Sequence, residues 1–201
     1  MPSVGQLLNY KLMNLSKAPF QYICLLVFMV CTLGMKAQNT RNLDLIKGVS
    51  IFKFGTDTSE IKEKRLRSRS LQDSRHVVYY QYTGDSLKTI FNVPVNEVLL
   101  YYYKNQLFRI DVNFGSLSKE YTSAEYNQVQ QQLEKLYGTE KVKLAMSGAV
   151  ILGGFRWEGE KINVDHSRHS YPPKRKADNA IVGEISFSER NLTRQSVLDK
   201  T

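Results

Sequence analysis

Cysteine is almost absent from this chain, and acidic residues are absent from its N-terminal region. Only two of the 201 residues are cysteines, Cys24 and Cys31, and residues 1–37 contain no Asp or Glu. Both cysteines lie within that region. A chain that lost residues 1–37 would have no thiol, which excludes disulfides, a thiolate nucleophile and cysteine-ligated metals.

The sequence also lacks the short motifs of several common enzyme classes. It has no Gly-x-Ser-x-Gly nucleophile elbow, no His-Glu-x-x-His metal motif and no glycine-rich phosphate loop. Serine–histidine hydrolysis is not excluded, because many serines and three histidines are present. Those counts alone do not distinguish a hydrolase from any other domain.

The N-terminal region has the three parts of a secretory signal. Two lysines precede an apolar run from Phe20 to Met35, and the small residue Ala37 stands before a polar junction. The apolar middle, about 15 residues, is shorter than the roughly 20 that a membrane-spanning helix needs. We therefore predict a signal peptide at 1–37, with Met1 or Met13 as the start, and an exported periplasmic or extracellular protein. An uncleaved N-terminal anchor is the alternative.

Residues 38–201 have a length that suits one domain with its own core. The signal carries three of the 28 Lys and Arg residues and none of the 19 Asp and Glu residues, so the remainder has a net charge of +6. This charge favours anionic partners such as lipid headgroups or envelope polymers. Nucleic acid is a poor expectation for an exported protein, and no membrane span is expected after signal cleavage.

One helix is strongly predicted in the second half of the chain. Residues 122–125 (Thr-Ser-Ala-Glu) form a capping box, in which side-chain oxygens accept the free N–H groups of the first turn. Tyr126, Val129 and Leu133 then fall on one face at helical spacing. Gly138 supplies a C-terminal stop. Such an apolar stripe is typical of a helix that packs on a sheet.

A second, less regular helix is predicted earlier in the chain. Residues 56–60 offer several oxygens for capping, and a helix is expected to continue to about Arg67, followed by a loop over 68–75.

Alternating polar and apolar residues predict strands on both sides of the strong helix. The clearest runs from Phe108 to Phe114, and Gly153-Gly154 indicates a bulge or a close backbone approach in another. Tight turns join these strands, so the sequence predicts an α+β fold with an antiparallel sheet of six to eight strands and two helices. The other predicted strands are 49–54, 76–82, 87–91, 98–103, 149–157, 161–166 and 181–188.

The element order suggests an internal duplication. Phe54-Gly55 and Phe114-Gly115 each precede a predicted helix start, and strands follow each helix. This favours two α-β-β-β repeats at 48–114 and 115–190, with coincidence within one domain as the alternative.

Two segments carry a family resemblance. Residues 101–110 (YYYKNQLFRI) and 133–138 (LEKLYG) resemble a pattern in exported proteins of Bacteroidota. The element order resembles the tandem helix-plus-sheet modules of β-lactamase-inhibitor-like proteins and of the small outer-membrane assembly lipoproteins of the E type. The resemblance implies an envelope protein whose sheet or helix surface contacts another macromolecule, and it transfers no functional residue.

Asp165, His166 and His169 form the one ionisable cluster with ligand-like spacing. They could meet a zinc ion if the strand ended there and turned. In a continuing strand, however, His166 shares the inward phase of Ile162 and Val164, and Asp165 points the other way. We therefore predict no metal site and no cofactor.

The predicted function is a non-catalytic binding or assembly module of the periplasm or cell envelope. Its partner would be an envelope protein or an anionic polymer. An exported hydrolase acting on an envelope polymer or a small ester is the alternative, with His166 or His169 beside a pocket; an anion-binding module is a third interpretation. The candidate binding residues are the tyrosines of an apolar strand and a basic, proline-containing loop: Tyr101, Tyr103, Tyr171, Lys174, Arg175 and Lys176.

Overall fold

The structure, a computed structural model, describes residues 42–61, 66–69, 76–145, 148–170 and 180–199. The predicted signal and the candidate binding residues at 171–176 lie outside this part of the chain. The described part belongs to the α+β class and consists mostly of strands, which confirms the predicted fold class. None of the helices described within these ranges is long and apolar enough to span a membrane.

Twelve strands and two complete α-helices are described within these ranges, and residues 42–44 are also helical. The helices are α1 (Ser123–Tyr137) and α2 (Arg190–Leu198), and Thr58–Glu60 forms a 3₁₀ turn. In chain order the strands are β1 (Gly48–Val49), β2 (Phe52–Lys53), β3 (Leu66–Arg69), β4 (Val77–Tyr82), β5 (Thr89–Ile90), β6 (Val93–Pro94), β7 (Glu97–Tyr103), β8 (Gln106–Phe114), β9 (Val142–Lys143), β10 (Val150–Glu158), β11 (Ile162–Ser170) and β12 (Ile181–Glu189).

Eight strands form one antiparallel sheet, in the order β3-β4-β7-β8-β12-β11-β10-β9. Each half of this sheet is built from four strands taken in chain order, and the last strand of each half, β8 or β12, lies at the centre. The pairs β1-β2 and β5-β6 form separate hairpins. This two-half layout is what a duplication would produce, although the predicted repeats stay a prediction.

Helix α1 packs on one face of the sheet, called here the covered face. Thr122 caps it as predicted, with its hydroxyl oxygen accepting the N–H of Glu125. Gly138 ends the helix with φ 88°, and its carbonyl accepts a hydrogen bond of 2.8 Å from the indole of Trp157. Tyr126, Val129 and Leu133 bury their side chains in the main core. The core side chains from the sheet on this face include Leu100, Tyr102, Ile110, Phe114, Trp157, Val164, Ile185 and Phe187.

Helix α2 covers one end of the opposite face, called here the open face. Leu192 packs against a small second cluster made by Val77, Tyr103 and Phe108. The Tyr103 hydroxyl also donates a hydrogen bond to the carboxylate of Asp199, just beyond the helix. This helix was not among the elements predicted from the sequence.

Several predicted elements differ in the structure. The early helix to Arg67 is wrong, because Leu66–Arg69 is an edge strand and the capping oxygens of 56–60 serve only a 3₁₀ turn. Residues 49–54 form a hairpin around Ser50, whose φ is 55°, and 87–91 contributes only the short β5. The predicted bulge in β10 is present, with the register shift between Ile151 and Gly153.

Candidate functional site

A groove lies on the open face, at the end of the sheet that α2 leaves uncovered. Its volume is about 740 Å³. This is within the roughly 300–1,000 Å³ that small-molecule sites usually occupy. We call it the sheet groove. Strands β7, β8, β11 and β12 and the loop after β8 provide its lining, which includes Glu97, Leu99, Tyr101, Asn113, Leu117, His169, Val182 and Glu184.

A partly buried ion cluster lies beside the sheet groove. Arg109 Nε is 2.7 Å from Asp111 Oδ1, and its Nη2 is 3.2 Å from Glu184 Oε1. Asp111 is only 1% exposed. The strand period explains the arrangement, because Arg109 and Asp111 are two residues apart on β8 and therefore share a face. The pairing of β8 with β12 brings Glu184 to the same face.

A second ion pair continues the row across the sheet. Arg156 contacts Asp165 through two bonds, Nε to Oδ1 and Nη2 to Oδ2, each 2.6 Å. Asp165 and Asp111 are both backbone partners of Ser186, one on each side of β12. Together these ion pairs bring three carboxylates and two guanidinium groups into neighbouring strands on the open face.

One of these carboxyls titrates abnormally. Burial, followed by the negative charge of Asp111, raises the pKa of Glu184 to about 7 against the opposing effect of Arg109. The side chain of Glu184 is 23% exposed and reaches the sheet groove. Burial and the charge of Asp111 also raise the pKa of Tyr101. Burial and the charge of Asp111 therefore favour the protonated form of Glu184 more than in a free carboxyl.

His169 also lines the sheet groove, from β11. Its Nδ1 lies 3.0 Å from Ser167 Oγ, and the two residues are each 2% exposed. Burial lowers the pKa of His169, which favours the neutral imidazole. Ser167 does not contribute to the groove lining. The pair is therefore a buried hydrogen bond with only its histidine at the groove wall.

His166 lies on the covered face, away from the sheet groove. It is fully buried and stacks on Tyr126, with ring centroids 4.5 Å apart. Its Nδ1 is 2.8 Å from Gln130 Oε1, and its Nε2 is 3.1 Å from the Tyr121 hydroxyl. Burial lowers the pKa of His166 to about 3, so the imidazole is neutral. This histidine is part of the core.

The metal candidates do not come together. Strand β11 continues to Ser170, so it does not turn at Asp165. Asp165 and His169 lie on the open face, and His166 lies on the covered face. Within the described ranges, no group of three histidine, cysteine or acidic side chains could hold a metal ion.

The candidate binding tyrosines have different surroundings. Tyr101 lines the sheet groove, stacks on Tyr79 at 5.4 Å and has the guanidinium of Arg109 at 5.1 Å from its ring centroid. Tyr103 is buried under α2 and does not reach the groove. Tyr171, Lys174, Arg175 and Lys176 lie outside the described residues.

Sequence reasoning missed the acidic part of the groove. Asp111 belongs to the polar positions of the predicted strand from Phe108 to Phe114, yet the structure buries it against Arg109. The alternation in β8 correctly indicates that Arg109 and Asp111 share a face, and the alternation in β12 likewise puts Glu184 among the polar positions of its strand. The pairing of β8 with β12 brings Glu184 beside the other two residues, and no local pattern in the sequence specifies that pairing.

Comparisons with protein-family models, with curated proteins and with solved structures found no match to this chain. The fold therefore defines the class of this protein, which is an α+β protein with an eight-stranded antiparallel sheet.

Proposed function

We propose that this protein is a non-catalytic binding or assembly module of the periplasm or cell envelope, and that it binds its partner through the sheet groove. The observation that carries the proposal is the groove itself, a recess of about 740 Å³ with an apolar wall and polar groups. Leu99 and Val182 supply apolar lining, and Asn113 and Glu184 supply hydrogen-bonding groups. Sites of this composition are typical of ligand binding. The predicted signal peptide supports the location.

The groove is built on rigid strands, which also supports a binding role. Most of its lining comes from four paired strands, so backbone hydrogen bonds hold the strand positions that carry Tyr101, Asn113 and Glu184. A rigid, preformed site loses little conformational entropy when a ligand binds.

A groove-blocking variant tests the proposal. Val182→Arg would place a long cation in the groove, and Val197→Arg on α2 is a matched control, because Val197 is 56% exposed and does not line the groove. Envelope fractions of the source cells would be passed over immobilised wild type and both variants. We expect one component to be retained by the wild type and by Val197→Arg but lost by Val182→Arg. Equal retention by all three, or retention of nothing, would contradict the proposal.

The alternative is an exported hydrolase of an envelope polymer or a small ester. The contact between Ser167 Oγ and His169 Nδ1 favours it, because a neutral imidazole beside a hydroxyl is the arrangement of an activated nucleophile. The burial of Ser167 disfavours it, since a substrate must reach the nucleophile. If the alternative is correct, Ser167→Ala and His169→Ala would abolish ester hydrolysis while their circular dichroism spectra stay unchanged. Activity equal to the wild type in either variant would exclude this pair.

A further inference from the structure

Resting on the proposed function, we propose that the sheet groove binds an organic ammonium group carried on an apolar or aromatic stem. Glu184 would hold the ammonium, and Leu99, Tyr101 and Val182 would contact the stem. The ligand class is thus a primary amine with a hydrocarbon body, as in a lysine side chain or a small aralkylamine.

The charge of the groove selects a cation. The full chain has a net charge of +9, yet the described residues that line the groove include Glu97 and Glu184 and no Lys or Arg. Next to the groove, the open face sets Asp111, Glu184 and Asp165 against only two guanidinium groups. When all five groups are ionised, this cluster has one negative charge in excess. A ligand cation would balance that charge, whereas an anion would add to it.

The geometry of the groove places the acid beside apolar surface. Glu97, Asn113 and Glu184 are backbone partners in one row across β7, β8 and β12. The two glutamates therefore stand two strands apart, with about 10 Å between their backbones. Asn113 lies between them and donates to Glu97 Oε2 at 3.4 Å. Its side-chain oxygen can accept a hydrogen bond from an ammonium that Glu184 attracts.

The apolar walls of the groove would contact the hydrocarbon stem of the ligand. Leu99 lies two residues after Glu97 on β7, and Tyr101 lies two residues after Leu99, so all three share one face of the sheet. Val182 faces them from β12. Tyr101 already has Arg109 over its ring at 5.1 Å, so its exposed edge and not its face is left for the ligand. A cavity of about 740 Å³ has room for a benzene-sized ring.

Binding of a cation should depend on the ionisation of Glu184. The titratable and charged groups around it are Arg109 and Asp111 from β8, Asp165 and His169 from β11, and Tyr101 and Glu97 from β7. Burial lowers the pKa of His169, which favours its neutral form, and Arg109 stays charged. Glu184, with a pKa of about 7, is therefore the group that changes charge between pH 6 and pH 8.

The test uses three probes of one shape. Benzylammonium, benzyl alcohol and benzoate differ in charge and share a ring, and their binding would be followed by NMR of the ring and methyl groups of Tyr101, Leu99 and Val182. We expect benzylammonium to shift these resonances with an affinity at least tenfold higher than that of benzyl alcohol, and benzoate to leave them unchanged. Raising the pH from 6 to 8 should tighten benzylammonium binding about tenfold, since one unit of pH below the pKa changes ionisation tenfold. Comparing the affinity of a lysine-containing peptide with that of benzylammonium would then separate the two sources, a lysine side chain and a small aralkylamine.

Matched variants decide whether Glu184 is responsible. Glu184→Gln should weaken benzylammonium binding about tenfold and remove its pH dependence, whereas Glu160→Gln, on the exposed β10–β11 turn, should change neither. Equal binding of the charged and neutral probes, or an unchanged Glu184→Gln variant, would overturn the proposal. If Val182→Arg abolishes envelope binding while benzylammonium does not bind, only the ligand class is wrong. If benzylammonium binds while Val182→Arg leaves envelope binding unchanged, the proposed function is wrong instead.

Discussion

The Nε2 atom of His166 lies 3.1 Å from the hydroxyl oxygen of Tyr121, in the core between the sheet and helix α1. The other ring nitrogen faces Gln130 Oε1, and the amide of Gln130 donates in turn to Glu134 at 3.0 Å. Both nitrogens of a neutral imidazole are satisfied if Nδ1–H donates to Gln130 and Nε2 accepts from Tyr121. The hydrogen-bond chain thus connects the middle of the core to the surface of α1, where Lys141 pairs with Glu134.

The first prediction concerns acid stability. The pKa of His166 is about 3 in the fold, below the ordinary value of 6.5. The stabilisation from its neutral form is therefore complete above pH 6.5 and is lost as the pH falls towards 3. We expect His166→Gln to destabilise the protein at pH 7.5, and we expect the difference from the wild type to shrink by about 2 kcal/mol at pH 5. Urea unfolding at both values measures this difference.

Comparing the wild type with His166→Gln at each pH also separates the contribution of His166 to stability from that of Glu184. Because the pKa of Glu184 is raised, its contribution to stability is complete below pH 4.5 and is lost as the pH rises through 7, which is the opposite direction. Both proteins carry Glu184, so its effect cancels in the difference. A difference that stays constant between pH 7.5 and pH 5 would show that His166 is not buried in its neutral form.

The second prediction concerns Gly183, which lies in β12 directly against the ring of Tyr121. A Cβ atom at this position would stand 2.1 Å from Tyr121 Cδ1. We expect Gly183→Ala to cost about 2 kcal/mol or more in the free energy of unfolding, because the ring is held between Phe114 and His166 and cannot move away cheaply. Thermal and urea unfolding would measure the cost.

Gly154 provides the control for Gly183. It also lies within a strand, but a Cβ there would meet Leu144 Cβ at 3.2 Å, which a small shift can relieve. Gly154→Ala should therefore cost less than Gly183→Ala. In a Tyr121→Ala background the cost of Gly183→Ala should fall, since the clashing ring is gone. Equal costs in both backgrounds would mean that Tyr121 does not pack on Gly183.

The third prediction concerns the link between Asp111 and Glu184. The negative charge of Asp111 helps to raise the pKa of Glu184 to about 7. Asp111→Asn should therefore lower that pKa, while Arg109 still contacts Glu184. NMR titration of the labelled Glu184 carboxyl would measure the change, with Asp199→Asn at the end of α2 as a control that leaves it unchanged. If the Glu184 carboxyl titrates in Asp111→Asn as it does in the wild type, the charge of Asp111 does not influence the pKa of Glu184.

The fourth prediction concerns the attachment of α2. The Tyr103 hydroxyl donates to Asp199, and Leu192 packs on Val77 and Phe108. Tyr103→Phe removes the hydrogen bond and keeps the ring, so we expect faster amide hydrogen exchange in α2 and no change in α1. Tyr79→Phe, on the same face of the neighbouring β4, is the control. Exchange in α2 that matches the wild type would show that this bond does not hold the helix.

The elements that were predicted correctly are those whose information is local. Helix α1 carries its own cap, apolar stripe and glycine stop, and β8 alternates over nine residues. The inward phase of His166 was also correct, because it follows from the period of β11. In each case a few neighbouring residues decide the structure.

The predictions that failed depended on long-range pairing. Leu66–Arg69 lacks a helical stripe and takes its structure from Tyr79–Tyr82 of β4, to which it pairs as an edge strand. Helix α2 has few apolar residues, and its place is set by Leu192 against three residues from β4, β7 and β8. The candidate site was missed for the same reason, since Asp111 and Glu184 are 73 residues apart in the chain and meet through strand pairing.

Site-specific photo-crosslinking in the source cells tests the central claim most directly, because the claim is that a partner sits in the sheet groove. A benzophenone amino acid would be placed at Val182 in the groove and, separately, at the exposed Val197 of α2, which does not line the groove. We predict a discrete crosslinked product, in the envelope fraction, from position 182 and none from position 197. No product from position 182, or the same products from both positions, would contradict the account.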